Sequence, residues 1–151
     1  MLRWMFLFCT TTLLFGQGPQ ADSKGSPADE VRAMLAKSQA AWNRGDLVAF
    51  ASYYEDAPTT TFIGREVVRG GTKAILDRYR RAYPTREAMG VLTFSEIEVR
   101  SLAQGVALAD GKFALKRSAA GGGDASGRFT LIFRQTPKGW KIVHDHTSSA
   151  P

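Results

Sequence analysis

The two histidines of the chain, His144 and His146, lie two residues apart near its C-terminal end. Residues two apart in a β-strand point to the same face, so both rings are expected on the face that carries Trp140 and Ile142. These two apolar residues mark that face as the one that meets the core or a pocket. An imidazole there can exchange a proton near neutral pH or anchor a polar group of a ligand. His146 and His144 are therefore the candidate catalytic residues. The alternative is that both are half-buried histidines satisfied by neighbouring side chains.

The same pair of histidines does not by itself form a metal site. Two imidazoles supply two ligands, and a third is needed for a stable centre. Cys9 is the only cysteine, and Asp145 is expected on the opposite face of the strand from the histidines. The glycine run 121–123 lacks the Lys-Ser/Thr pair of a phosphate-binding loop. The sequence therefore predicts neither a metal site nor a cofactor.

A set of aromatic residues could form the wall of a pocket for a small molecule. Buried phenols need a polar partner, which favours the tyrosines of this set as pocket residues. The alternative is that the set belongs to the ordinary core, because the spacing of its helical members is also that of core residues. The candidate ligand-binding residues are Trp42, Tyr53, Tyr54, Phe62, Tyr83 and Trp140.

The elements that must position these residues change in type near Gly90. Before it, apolar residues recur at helical spacing and capping signals such as Ser26-Pro27 mark the ends. These signals predict helices between Pro27 and Arg44, between Asp46 and Pro58 and between Thr72 and Pro84. Two short strands, Thr59–Ile63 and Glu66–Arg69, lie between the second and third helices.

After Gly90, the apolar residues alternate with a period of two, which is typical of strands. Short turns separate the runs, so neighbouring strands are expected to be antiparallel. Helices followed by a long antiparallel meander predict an α+β fold with the helices on one face of the sheet. The four predicted strands are Val91–Leu102, Val106–Ser118, Ser126–Thr136 and Trp140–Ser148.

The chain has 151 residues, of which 44% are hydrophobic and 23% charged. This composition excludes wholesale disorder, and the length indicates one domain.

Arg3 followed by the apolar run 4–15 is typical of a secretory signal peptide, which we expect over residues 1–21, with a linker over 22–28. The alternative is an uncleaved N-terminal anchor. The expected location is periplasmic or secreted, with no membrane contact after cleavage.

The net charge of the chain is +6, and several of its basic residues form a run on the third helix. This run is predicted to be a solvated helix face rather than a nucleic-acid site.

Several strings, in their order and spacing, make the chain resemble the nuclear transport factor 2-like superfamily, in its SnoaL-like and ketosteroid-isomerase-like branch. The resemblance covers about residues 29–148, and we take 29–149 as the domain. The strings are Ala41-Trp42-Asn43-Arg44-Gly45-Asp46-Leu47, Tyr53-Tyr54-Glu55-Asp56-Ala57, the loop from Gly64 to Gly70-Gly71, and the terminal Gly139-Trp140-Lys141-Ile142-Val143-His144-Asp145-His146-Thr147-Ser148.

The resemblance implies a cystatin-like roll: a cone-shaped, curved mixed or antiparallel sheet wrapped around a long N-terminal helix, with two further helices. It also implies a pocket at the open end and a homodimer through the outer sheet face. Ketosteroid isomerases carry their general base on the short strand after the second helix, and here Thr59–Ile63 has no acid. Asp56 is expected to cap a turn, and neither Asp110 nor Asp145 is assigned as a base.

The sequence therefore favours an exported small-molecule-binding domain with an aromatic-lined pocket. One alternative is an enzyme of isomerase, cyclase or dehydratase type that uses a pocket histidine as general acid or base. The other is a structural dimerisation domain. The expected partners are a small-molecule ligand and a second copy of the chain, with no nucleic acid.

Overall fold

The computed structural model describes residues 25–150. The predicted signal peptide and the first part of the predicted linker lie outside the described residues. The described chain contains four helices and six strands. The helices are α1 (Pro27–Asn43), α2 (Leu47–Ala51), α3 (Gly71–Ala82) and α4 (Arg86–Met89), and the strands are β1 (Thr61–Ile63), β2 (Val67–Arg69), β3 (Val91–Ala103), β4 (Val106–Lys116), β5 (Ala125–Thr136) and β6 (Gly139–Ser149).

The six strands form one curved, unclosed sheet, and the α+β prediction is confirmed. The strand order is β2-β1-β6-β5-β4-β3. The four long strands follow one another as antiparallel neighbours, as the sequence predicted. The short β1 joins the sheet parallel to β6, which makes the sheet mixed and places the segment after α2 beside the C-terminal strand.

The predicted signals at the ends of α1 are confirmed. The Ser26 hydroxyl accepts a hydrogen bond from the backbone N–H of Asp29, and Pro27 occupies the first turn, where a missing N–H costs nothing. The helix ends at Arg44, and Gly45 follows with a φ of 80°. That left-handed conformation suits glycine, because it has no Cβ to crowd the backbone. These two ends fix the length of the helix that packs on the inner face of the sheet.

The second helix is shorter than predicted and ends at Ala51. The residues that follow it pair with β6 instead of continuing the helix. The N–H of Ile142 donates to the Tyr53 carbonyl, and the N–H of Glu55 donates to the Ile142 carbonyl, both at 2.9 Å. Sheet pairing therefore replaces the helical hydrogen bonds, and it places the Tyr54 side chain against β6.

The third helix begins at Gly71, one residue before Thr72, which the sequence predicts as its cap. Thr72 does not cap the helix with its own side chain. Asp56 Oδ1 accepts a hydrogen bond from the backbone N–H of Thr72 at 3.1 Å, so a carboxylate from the segment between α2 and β1 caps α3. The sequence predicts that Asp56 caps a turn of its own segment, and the structure shows its carboxylate at the start of α3 instead. The short helix α4 was not predicted, and Thr85 caps it by accepting from the N–H of Ala88.

The inner face of the sheet and α1 enclose the core. Phe129, Leu131 and Phe133 alternate along β5 and are all buried, whereas Thr130 and Arg134 are exposed, as the period of two predicted. Val31, Leu35 and Trp42 of α1 are almost fully buried against this face. The homodimer expected through the outer face stays a prediction.

Gly111 lies within β4, opposite a bulge of β3 between Ser95 and Glu98. A side chain at position 111 would meet the end of the Phe129 ring at 2.7 Å. The glycine is therefore required because an aromatic ring of the inner face packs against its backbone.

Candidate functional site

A broad cavity of about 1760 Å³ lies between the inner face of the sheet and the helices. Residues of α1, α2 and α3 form one wall, and residues of β3 to β6 form the other. The buried residues of the lining are mostly apolar or aromatic, whereas charged residues such as Arg65, Glu66 and Arg117 border the cavity where they are partly or fully exposed. The chemistry of the site therefore depends on which polar groups the sheet and the helices turn inward.

A β-bulge in β6 decides which residues of that strand face the cavity. Phe133 of β5 pairs with Ile142, but the preceding residue, Ile132, pairs with His144, so β6 contains one extra residue between the two pairs. An inserted residue reverses the faces of everything that follows it. Trp140 and Ile142 therefore face inward before the bulge, and Asp145 faces inward after it. The Asp145 side chain is only 4% exposed.

The expectation that the histidines share a face with Trp140 and Ile142 is therefore wrong. His144 pairs with Ile132 on the outer face and borders a smaller depression of about 380 Å³ there. His146 is exposed across from Thr130; it borders the cavity only where β6 reaches the rim. The catalytic role assigned to the two histidines rested on this shared face and loses that support.

Asp145 lies at the end of a chain of hydroxyl groups. The Tyr54 hydroxyl donates to Asp145 Oδ2 at 2.5 Å, and the Thr147 hydroxyl donates to Oδ1 at 2.6 Å. The hydroxyl oxygens of Tyr54 and Tyr79 are 3.1 Å apart. A phenol has one proton to donate. Since the Tyr54 hydroxyl donates its hydrogen bond to Asp145, Tyr79 is the donor in the hydrogen bond between the two tyrosines. The hydrogen bonds from Tyr79 to Tyr54 and from Tyr54 to Asp145 therefore run in one direction, towards the carboxylate.

Burial dominates the electrostatics of this cluster. It raises the pKa of the Asp145 carboxyl, against the hydrogen bonds from Thr147 and Tyr54 and the positive charge of Arg78, which lower it. Burial, together with the nearby Asp145 charge, also raises the pKa of Tyr54 well above its ordinary value and raises that of Tyr79. The phenols therefore remain protonated donors, and Asp145 is the acidic member of the cluster, with a pKa above that of an ordinary aspartate.

Five of the six predicted ligand-binding residues border the cavity: Trp42, Tyr53, Tyr54, Phe62 and Tyr83. The Trp42 ring meets the rings of Tyr83 and Phe50 edge-on, with centroids 4.8 and 5.0 Å apart. Such edge-to-face contacts hold the aromatic wall in a fixed arrangement. The aromatic cluster that the sequence suggested is present.

The sixth predicted residue, Trp140, has a different place. Its ring is buried, and its Nε1 donates a hydrogen bond to Glu30 Oε2 of α1 at 2.7 Å. Trp140 precedes the bulge and contacts the start of α1, so it fastens the long helix to the sheet. Among the described residues that border the cavity, Trp140 is absent.

Arg78 belongs to the basic run (Arg78, Arg80, Arg81 and Arg86) that the sequence predicts to be a solvated face, and that prediction is wrong for Arg78. Its guanidinium carbon lies 3.7 Å from the centroid of the Phe62 ring and 4.9 Å from that of Tyr79, and the side chain borders the cavity. Arg78 follows Ile75 by three residues, which places both on the buried side of α3. That spacing was a signal in the sequence. The inward turn of Asp145 had no such signal, because strand alternation predicts the opposite face.

Within residues 25–150, no group of three His, Cys, Asp or Glu side chains is arranged to hold a metal ion. None of the helices in this range combines the length and apolar character needed to cross a bilayer. The comparison with curated proteins gave no match.

The model of the SnoaL-like domain family matches residues 31–151. The chain belongs to the SnoaL-like domain family. An NTF2-like protein of unknown function from Shewanella oneidensis MR-1 is 32% identical, with a TM-score of 0.72 over 80% of this chain and 97% of the other. A protein with a cystatin-like fold from Caulobacter vibrioides is 22% identical, with a TM-score of 0.68 over 84% and 92% of the two chains. The predicted superfamily and fold are thereby confirmed, and domains of this fold often bind small ligands.

The position of the carboxylate distinguishes this SnoaL-like domain from the expected isomerase pattern. The strand after the second helix, β1, carries no acid, as its sequence shows. Its residue Phe62 is, however, the register partner of Asp145 on the parallel neighbour β6. The cavity therefore receives a buried carboxylate from the adjacent strand, which sequence reasoning missed.

The raised pKa of Asp145 predicts how the stability of the SnoaL-like domain depends on pH. The folded protein holds this proton to a higher pH than the unfolded chain, in which the ordinary value is 3.8. The contribution of Asp145 to stability is therefore greatest below about pH 4 and falls as pH rises through the folded pKa. We expect the difference in unfolding free energy between the wild type and Asp145→Asn to shift in favour of the variant as pH increases. Urea unfolding at a series of pH values measures this difference, and a difference that is constant or moves the other way contradicts the assignment.

Proposed function

We propose that the domain binds a small molecule with an apolar ring system, and that a hydroxyl group of this ligand donates a hydrogen bond to Asp145. The observation that carries the proposal is a buried carboxylate on the wall of an otherwise largely apolar, aromatic cavity. Burying an unpaired charge is costly, and proteins retain one chiefly where it has work to perform.

The hydrogen bonds of Asp145 leave it able to accept a ligand. An ionised carboxylate offers about four lone-pair positions. Tyr54 and Thr147 each occupy one of them, on different oxygens. The remaining positions can accept from a hydroxyl group that enters the cavity, while the rings of Trp42 and Tyr83 contact the apolar body of the ligand.

The naphthalene alcohol 2-naphthol is a suitable probe, since it joins a flat apolar body to one hydroxyl group. We expect the wild type to bind it and Asp145→Asn to bind it about tenfold or more weakly, because a hydrogen bond to a charged group is lost. Isothermal titration calorimetry measures both dissociation constants.

The matched control for this experiment is Asp110→Asn, the same chemical change on a neighbouring strand. Asp110 pairs with the exposed Thr130 on the outer face of the sheet. It should leave 2-naphthol binding unchanged. Absence of binding to the wild type, or an equal loss in the two variants, would refute the proposed binding mode.

A second candidate function is proton abstraction from a carbon acid, with Asp145 as general base in place of the histidines. The observation that favours it is the raised pKa of a carboxyl that borders an apolar cavity, because a base works best when its pKa is close to the operating pH. In this reaction a proton passes from the carbon next to a carbonyl to the Asp145 carboxylate and leaves an enolate. Reprotonation of the enolate then restores the ketone.

Proton exchange in the ketone 2-tetralone tests this candidate. We expect wild-type protein in D₂O to speed the loss of its C1 proton signals in the NMR spectrum, and Asp145→Asn to return the rate to that of buffer. Binding without faster exchange would leave ligand binding as the function and exclude the base role for this ketone.

We also propose that the domain is exported, as residues 1–21 indicate, and that it forms a homodimer. Support for export is the order of Arg3, the apolar run 4–15 and the polar spacer after it. Mass spectrometry of protein recovered outside the cytoplasm tests this part. A mature N-terminus between Gln17 and Asp22 is expected, and an intact Met1 in the membrane fraction contradicts it.

A further inference from the structure

We propose that Arg78 is a second anchor in the cavity, and that the ligand carries a carboxylate group bound by its guanidinium. The inference rests on the proposed function, because it names a further chemical group of the ligand that occupies the same cavity.

The first step is an unmatched hydrogen-bond donor. Arg78 Nε is buried and has no hydrogen-bond partner among residues 25–150, and it is the one such side-chain nitrogen or oxygen found in that range. Buried polar groups in folded proteins almost always have a partner, because an unmatched donor forfeits the hydrogen bonds it makes with water. Nε itself is covered, so a ligand would meet the other nitrogens of the guanidinium, where the side chain borders the cavity. The missing partner of Nε shows that the residues around Arg78 do not satisfy its guanidinium, and an acceptor on a ligand would do so.

The second step is the way in which the guanidinium is held. The guanidinium carbon lies over the Phe62 ring, 3.7 Å from the ring centroid. A guanidinium that lies over a ring keeps N–H bonds at its edge, and these match the two oxygens of a carboxylate. A β-carbon at Gly64 would lie 2.9 Å from Phe62 Cε1 and 3.7 Å from Arg78 Nη2. Glycine at this position therefore leaves the stacked pair uncrowded.

The third step is the charge of the cavity wall. None of the ion pairs within 4.0 Å among the described residues includes Arg78. Asp145 is near enough for the Arg78 charge to lower its pKa, but its hydrogen bonds come from Tyr54 and Thr147. Asp124, another acid of the wall, is paired with Lys116. Arg78, like Arg65 and Arg117 of the same lining, is thus a cation without a bonded anion, and it is the one of the three that lies over an aromatic ring and carries a buried, unmatched nitrogen. An anionic ligand would supply the missing partner.

Asp145 limits where the ligand carboxylate can lie. Two carboxylates repel each other, so the ligand anion should occupy the Arg78 side and leave the hydroxyl to meet Asp145. A ligand with both groups at a fixed separation would satisfy both anchors at once. This arrangement predicts opposite responses of anionic and neutral probes to changes at the two anchors.

The probes are 2-naphthoate and 2-naphthol, which share the same ring system and differ in their polar group. We expect Arg78→Gln to weaken 2-naphthoate binding about tenfold or more, and to weaken it far more than 2-naphthol binding. Arg78→Lys keeps the charge but lacks the two-pronged edge, so it should recover only part of the loss. Asp145→Asn should strengthen 2-naphthoate binding and weaken 2-naphthol binding. Calorimetry near pH 7 gives all four sets of dissociation constants, with circular dichroism to verify folding.

The matched control is Arg80→Gln, which removes one positive charge from the same helix at an exposed position. It should change neither affinity. Equal losses of 2-naphthoate affinity in Arg78→Gln and Arg80→Gln, with Asp145-dependent 2-naphthol binding intact, would overturn the role of Arg78 and leave the proposed function standing. Failure of the wild type to bind either probe would overturn both.

Discussion

The candidate site of this domain depends on one extra residue in its last strand. The bulge between the pairs Phe133–Ile142 and Ile132–His144 reverses the faces of β6 halfway along its length. Before the bulge, β6 contributes apolar residues to the core. After it, the strand turns Asp145 inward and both histidines outward. Without the bulge, the same sequence would present two imidazoles to the cavity and a carboxylate to the outer face, which is a different chemistry.

The inward carboxylate in turn requires the surrounding elements to be in place. Its donors are Thr147 on its own strand and Tyr54 from the segment after α2, and Tyr79 on α3 supports Tyr54. Tyr54 can reach Asp145 because α2 ends early and the backbone of Tyr53 and Glu55 pairs with β6. A shorter helix, a parallel bridge and a strand bulge therefore act together to satisfy one buried charge. Hydrogen bonds of this kind are what make a buried carboxylate tolerable.

Local patterns in the sequence predicted most of the fold. The four long strands and the ends of α1 follow from alternation and capping, which depend on neighbouring residues alone. The candidate site was predicted only in its aromatic part. The inward face of Asp145 depends on the register between β5 and β6, a non-local property that alternation within one strand does not contain. The position of Arg78 depends on Phe62, a partner on a distant element, although its spacing from Ile75 was compatible with burial.

The SnoaL-like fold of this chain forms the cavity, but the fold alone does not determine which polar side chains enter it. The sheet presents inward positions from several strands, and here the acid comes from β6, next to β1, rather than from β1 itself. Phe62 on β1 instead supports the guanidinium of Arg78, which α3 supplies from the opposite wall. The register pair Phe62–Asp145 therefore joins the two anchors: one member carries the negative charge, and the other holds the positive charge in place. A ligand bound by both anchors would be selected by the positions of its charge and its hydroxyl group as well as by its shape. A polar residue on a neighbouring strand, in place of the one on β6, would therefore select a different ligand.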